Sequence, residues 1–112
     1  LGGTGAEIRD WTDVRDVARL LASFAAPPTQ ASSRIINGGS GRGTSVADIA
    51  TGLIQQWGTD TVVRYSGVSR PGDPVSLLAD DANLRRVGFE WRIPLDRGLA
   101  DYVAWFKGQA GG

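Results

Sequence analysis

Two short constellations in this 112-residue chain carry residues suited to chemistry: Arg9-Asp10-Trp11 and Arg70-Pro71-Gly72-Asp73. Each sets a guanidinium beside a second recognising group. An arginine fork suits a diphosphate, an aromatic face stacks or packs on a base or ribose, and a carboxylate accepts hydrogen bonds from ribose hydroxyls. The competing reading is an Arg–Asp ion pair that holds each turn together.

A third stretch invites a phosphate reading. Asn37-Gly38-Gly39-Ser40-Gly41-Arg42-Gly43 lies between an apolar pair, Ile35-Ile36, and a helix opening at Thr44-Ser45. Free N–H groups at a helix N-terminus favour anions, and glycines let backbone approach a ligand closely. The spacing argues against a nucleotide loop. A Walker loop needs lysine after its last glycine, and Gly38-x-x-x-x-Gly43 is followed by Thr44; Gly39-x-Gly41 meets Thr44 where GxGxxG requires glycine. The stretch therefore reads as strand, tight turn and docked helix.

No catalytic set assembles from what remains. The chain has no histidine and no cysteine, which removes the usual nucleophilic triads, disulfides and the commonest metal ligands. Tyr65 and Tyr102 are followed four residues later by Ser69 and Phe106, so the Tyr-x-x-x-Lys pair of many dinucleotide enzymes is missing. The sole lysine, Lys107, falls near a helix C-terminus, where a structural role fits it best. Metal catalysis is not expected. Lysine and arginine together balance aspartate and glutamate at twelve each, without a basic tract, so no nucleic-acid or membrane-surface partner is implied. All the cations but Lys107 are arginine, which favours forked recognition of carboxylate or phosphate; a coding bias would give the same excess. No apolar run reaches the roughly 20 residues of a membrane span and no signal-peptide pattern opens the chain, so a cytoplasmic protein is expected. With no methionine present and Leu1 at the first position, sequence is expected upstream.

The elements that must position these residues follow from pattern. Residues 7–12 read as a short extended segment. Thr12 or Asp13 caps a helix whose stripe is Val14, Val17, Ala18, Leu21, Phe24 and Ala25, stopped by Pro27-Pro28. Residues 29–33 form a polar loop and residues 34–37 a strand. Ser45-x-x-Asp48 approximates a capping box for a helix striped by Val46, Ile49, Ala50, Leu53, Ile54 and Trp57, with Gly58 at its C′ position. Residues 61–65 and 75–79 are expected as strands, 81–87 as a short helix capped by Asp80, and 89–93 as extended or irregular. Pro94 opens a last helix striped by Leu95, Leu99, Tyr102, Val103 and Phe106, and residues 108–112 form a disordered tail. The whole is mixed α/β, a single incomplete domain over 1–112 with too few strands for a doubly wound sheet.

Four motifs in order resemble the C-terminal third of the extended short-chain dehydrogenase/reductase family, the NAD-dependent nucleotide-sugar epimerases and dehydratases. Gly5-x-x-x-Arg9-Asp10-Trp11-x-x-Val14-x-Asp16-Val17-Ala18 is similar to that family's RD-aromatic segment and helix, and Ile36-Asn37-Gly38-Gly39-Ser40-Gly41 to its N-[IL]-G-x-G strand end. Arg70-Pro71-Gly72-Asp73 matches its RPGD turn; Leu84-x-x-x-Gly88-Phe89 with Pro94-Leu95-x-x-Gly98-Leu99 resembles its closing pattern.

The resemblance implies a Rossmann-type parent. Residues 12–38 would return to the dinucleotide-binding sheet, and residues 39–107 would form the substrate-binding lobe. Arg9 and Arg70 would approach the diphosphate of a UDP- or dTDP-sugar, Trp11 would lie near the nucleotide and Asp73 near the ribose. Trp11 replaces a commoner Tyr or Phe, Asp13 stands where His is frequent, and Trp91 where proline is frequent. NAD or NADP would be bound mainly by an N-terminal portion carrying GxxGxxG, the catalytic Ser or Thr and Tyr-x-x-x-Lys, in a parent that could be a homodimer. This chain would then lack hydride chemistry of its own, and 4-epimerisation is the favoured parent reaction. The alternative is a standalone α+β interaction module without enzymatic activity.

Overall fold

The computed structural model describes residues 1–25 and 35–110. Its elements are β1 (Ile8–Asp10), α1 (Val14–Ser23), β2 (Gly43–Ser45), α2 (Val46–Trp57), β3 (Ser76–Leu77), α3 (Ala82–Arg86) and α4 (Leu95–Ala110). The expected stops at Pro27-Pro28, the loop 29–33 and Arg34 lie outside the described residues.

Local signals account for the helices. Asp13 caps α1 in extended conformation, its carboxylate accepting from the Arg15 amide. At α2 the Ser45 hydroxyl accepts from the Asp48 amide (3.0 Å) and donates to the Asp48 carboxylate (2.7 Å), one half of a capping box in which the aspartate meets the hydroxyl rather than the Ser45 amide. Gly58 ends α2 in the left-handed region (φ 77°), its amide bonded to Ile54 and Gln55 carbonyls. Lys107 on α4 donates to the Trp57 carbonyl (2.8 Å) and lies over the Trp57 ring, so the sole lysine closes α2 against α4.

β1 is the central strand of a three-stranded sheet in the order β2-β1-β3. Its pairing with β2 is antiparallel, Arg9 opposite Thr44 and Asp10 opposite Gly43; its pairing with β3 is parallel, Ile8 beside Ser76 and Arg9 beside Leu77. Leu20, Ile49, Leu84 and Val103 form the buried apolar core.

Several expectations are corrected. Residues 35–38 form no strand, and Ile35 is 88% exposed, because no neighbouring strand of the described residues offers it a ladder. Residues 61–65 are also irregular: Val62 is exposed, and β propensity acts only where a pleated neighbour exists. The strand expected at 75–79 contracts to β3, and β2 takes the place of what read as the end of the glycine turn. α4 continues through Ala110, into the stretch expected to be a disordered tail.

The largest correction concerns α1. Its buried residues are Asp16 and Leu20, while Val14 (76% exposed), Leu21 (68%) and Phe24 from the expected apolar stripe face outward. The molecule is a slab of 53 × 40 × 21 Å with a radius of gyration of 17.1 Å, against about 13 Å for a compact domain of this length. Its 8345 Å² of accessible surface exceeds the roughly 5,900 Å² expected of a compact monomer. Val14, Leu21 and Phe24 of α1 and Trp57 of α2 thus keep apolar area exposed.

Candidate functional site

Arg9 sits at the middle of β1, half-buried, with β2 on one side and β3 on the other. One guanidinium nitrogen, Nη1, donates to the carbonyl of Ile8 (2.7 Å), which leaves most of its five donors available. Trp11, 41% exposed, is held by its indole N–H, which donates to the Thr44 carbonyl (3.2 Å). Part of the ring stays open to a partner.

The Arg70–Asp73 segment is a turn closed by the Asp73 amide donating to the Arg70 carbonyl (3.1 Å). Both side chains are exposed. The turn feeds β3, and the Ile8 amide donates to the Val75 carbonyl (2.9 Å). Parallel pairing therefore places the turn ahead of β3, toward the end of the sheet at which β1 begins.

Neither turn is held by the Arg–Asp ion pair considered above. Among the described residues the ion pairs are Arg15 with Asp13 and Asp101, Arg19 with Asp16, Arg85 with Asp81, and Arg97 with Asp101. Arg9 and Arg70 have no carboxylate partner among them.

Asp10 is the residue that sequence reasoning underrated. One oxygen accepts from the Ser40 hydroxyl (2.6 Å) and amide (3.0 Å), the other from the amides of Gly41 (2.8 Å) and Ala79 (3.3 Å). Burial pushes its pKa upward, but the hydrogen bonds from Ser40, Gly41 and Ala79 outweigh this and hold it below the usual carboxylate value. Gly39 is glycine for steric reasons: a Cβ there would collide with the Ala79 side chain and stand 2.6 Å from the Asp10 carboxylate. The glycine turn is an anion cradle after all, and its anion is the chain's own Asp10. Its Ser40 and Gly41 amides are occupied, so the turn does not fit a dinucleotide phosphate.

Asp16 does comparable work elsewhere. Only 2% exposed, it accepts from the amides of Arg92 (2.8 Å) and Ile93 (2.9 Å) and pairs with Arg19 (2.6 Å), whose guanidinium also lies over the Phe89 ring. The place of Asp16 in the first turn of α1 by itself implies only a helix-dipole role. A partner 76 residues away leaves no local signal.

Two cavities lie apart from the four candidate residues. One of about 450 Å³ is lined by Ile35, Ile36, Asn83, Arg86 and Val87; the other, about 360 Å³, is lined by residues of α1 and α4 with the segment before α4. Arg9 is on β1, Trp11 just beyond its end, and Arg70 and Asp73 on the turn ahead of β3; none of the four lines either cavity. Among the described residues no three or more His, Cys, Asp or Glu side chains are grouped to hold a metal ion. No helix among them is long and apolar enough to cross a membrane.

No protein-family model matches the chain. It is 28% identical over 111 residues to a putative GDP-L-fucose synthase 2 of Oryza sativa subsp. japonica, covering 98% of this chain and 31% of that protein. UDP-glucose 4-epimerase of Thermotoga maritima, solved with UDP-glucose, superposes with a TM-score of 0.82 at 29% identity, over 98% of this chain and 35% of the epimerase. MoeE5, solved with UDP-glucose and NAD, superposes with a TM-score of 0.86 at 31% identity, over 98% of this chain and 37% of MoeE5. The chain thus spans about a third of the length of the relatives it matches. In sequence and fold the chain is thus similar to extended short-chain dehydrogenases/reductases of the nucleotide-sugar epimerase/dehydratase type, over a stretch consistent with the C-terminal part of their Rossmann-type architecture.

Proposed function

We propose that this chain is the nucleotide-sugar-binding portion of an NAD-dependent sugar-nucleotide epimerase or dehydratase, with 4-epimerisation the favoured reaction. The observation that carries the reading is the parallel pairing of β1 with β3, which puts Arg9 on β1 and the Arg70 turn ahead of the neighbouring β3, with neither arginine neutralised by a carboxylate of the described residues. In this reading the two guanidinium groups grip the diphosphate, Trp11 packs on the base and Asp73 accepts from the ribose hydroxyls. Residues 39–107 are the substrate lobe. Residues 12–38 return to the dinucleotide-binding sheet, and the exposed face of α1, with Val14, Leu21 and Phe24, packs on the portion of the enzyme that holds NAD. The dinucleotide supplies hydride acceptance there; the residues of this chain bind and orient the sugar nucleotide.

Calorimetric titration of the natural protein that carries this chain tests the proposal. UDP is expected to bind at least about tenfold more tightly than uridine, because a diphosphate gripped by two arginine forks contributes charge-assisted hydrogen bonds that the nucleoside lacks. Equal affinity for UDP and uridine, or no binding of either, would remove the assignment.

A further inference from the structure

We infer that Asp10 is the positioning residue of this nucleotide site: a carboxylate clasp that sets, before ligand arrives, the separation of Arg9 from the Arg70–Asp73 turn. The inference rests on the nucleotide-binding reading above, and adds a residue whose side chain is directed away from the ligand groups.

The ladder between β1 and β3 is weak. β3 is two residues long and meets β1 in two register pairs. So short a strand fixes its own register poorly. The β3 side carries the arginine turn at one end and Ala79 at the other, and Asp10 reaches past the ladder to accept from the Ala79 amide. The same carboxylate takes three further hydrogen bonds from Ser40 and Gly41. Three chain segments, separated from one another by 30 and 69 residues from Asp10, are thus tied at one group. Adjacent strand residues project to opposite faces, so Asp10 anchors β1 from the side opposite Arg9. The positions of Arg9 on β1 and of Arg70 ahead of β3 then follow from one clasp.

The chemistry of the clasp requires an acceptor on both oxygens. All four donors are N–H or O–H groups pointing at it. Asparagine would aim its own NH₂ at two of them, and glutamate would drive an extra methylene toward Gly39, where there is no space for a Cβ.

The test uses the natural protein carrying Asp10→Asn. With far-UV and near-UV circular dichroism and a cooperative melt retained, the UDP dissociation constant is expected to rise about tenfold or more while NAD affinity stays within twofold. Amide exchange at Gly41 and Ala79, measured without nucleotide, is expected to speed up about tenfold. A residue important only for stability would lower the melting temperature and leave UDP affinity of the folded protein unchanged; that result overturns the inference. Should Asp10→Asn fail to fold, Ser40→Ala removes the 2.6 Å hydroxyl donor alone and is expected to weaken UDP about two- to fivefold, with Ser40→Thr restoring it. Unchanged UDP affinity in Ser40→Ala then overturns it instead. A natural protein that binds no UDP ends the nucleotide-site reading and the positioning role together, whereas unchanged exchange at Gly41 and Ala79 in the variant removes the clasp alone.

Discussion

Replacing Asp16 by alanine is expected to destabilise the fold by about 3–5 kcal/mol, the range for breaking a buried, hydrogen-bonded ion pair by deleting one partner. The carboxylate is nearly inaccessible, and its loss strands the Arg92 and Ile93 amides and removes the ion-pair partner of Arg19. Asp16→Asn is milder, about 1.5–3 kcal/mol, because its carbonyl oxygen still serves the two amides while the charge facing Arg19 is gone. Urea midpoints of the two variants in the natural protein check the ordering. A pH dependence accompanies it. Burial raises the Asp16 pKa, yet the hydrogen bonds from Arg19, Ile93 and Arg92 prevail and depress it. A folded-state pKa below the unfolded value means that the carboxylate stabilises the fold above the unfolded pKa, about 3.9, and that this contribution is lost as pH falls through the folded value. The alanine variant should therefore lose less stability than the natural protein on acidification. Alanine and asparagine variants that melt like the natural protein would show the segment before α4 to be held by other means.

Arg70→Ala carries the second large effect, a weakening of UDP or UDP-sugar binding by about 1.5–3 kcal/mol, roughly 10- to 150-fold, if a charge-assisted hydrogen bond to the diphosphate is lost. Stability should change little, since the side chain is exposed and the turn is closed by backbone atoms and by Pro71-Gly72. Arg70→Lys should recover only part of the affinity, because an ammonium lacks the planar fork. Calorimetry on the folded variant separates these outcomes, and unchanged affinity would take Arg70 out of the site.

What the sequence disclosed divides along a physical line. The box at Ser45 and Asp48, the Gly58 stop, the Asp13 cap and Pro94 before α4 are local features, and each was legible because its partners lie within a few residues. The sheet was not. Strands of two and three residues give no periodic signal, and β2 is Gly43-Thr44-Ser45, a composition that reads as turn. Ile35-Ile36 and the β-branched run at 61–63 misled in the opposite sense, since their intrinsic preference has no partner strand to act through among the described residues. The stripe of α1 had the right period, yet its helix buries Asp16 and Leu20 and leaves Val14, Leu21 and Phe24 outside. Amphipathicity identifies a face that wants cover without saying which chain supplies it.

The candidate ligand residues were legible as types, and the pairing that relates them was not. Arg9 stands on β1 and the Arg70 turn leads into β3, and the parallel pairing of these strands joins distant parts of the chain, which no spacing rule anticipates. The spacing of the glycine turn argues against a nucleotide phosphate. The reason visible in the structure is different, because the cradle is already filled by Asp10.

A crystal structure of the natural protein with UDP bound tests the central claim most directly. The account predicts diphosphate oxygens within about 3.2 Å of guanidinium nitrogens of both Arg9 and Arg70, with the uracil against the open face of Trp11. A diphosphate bound with neither arginine in reach would contradict it.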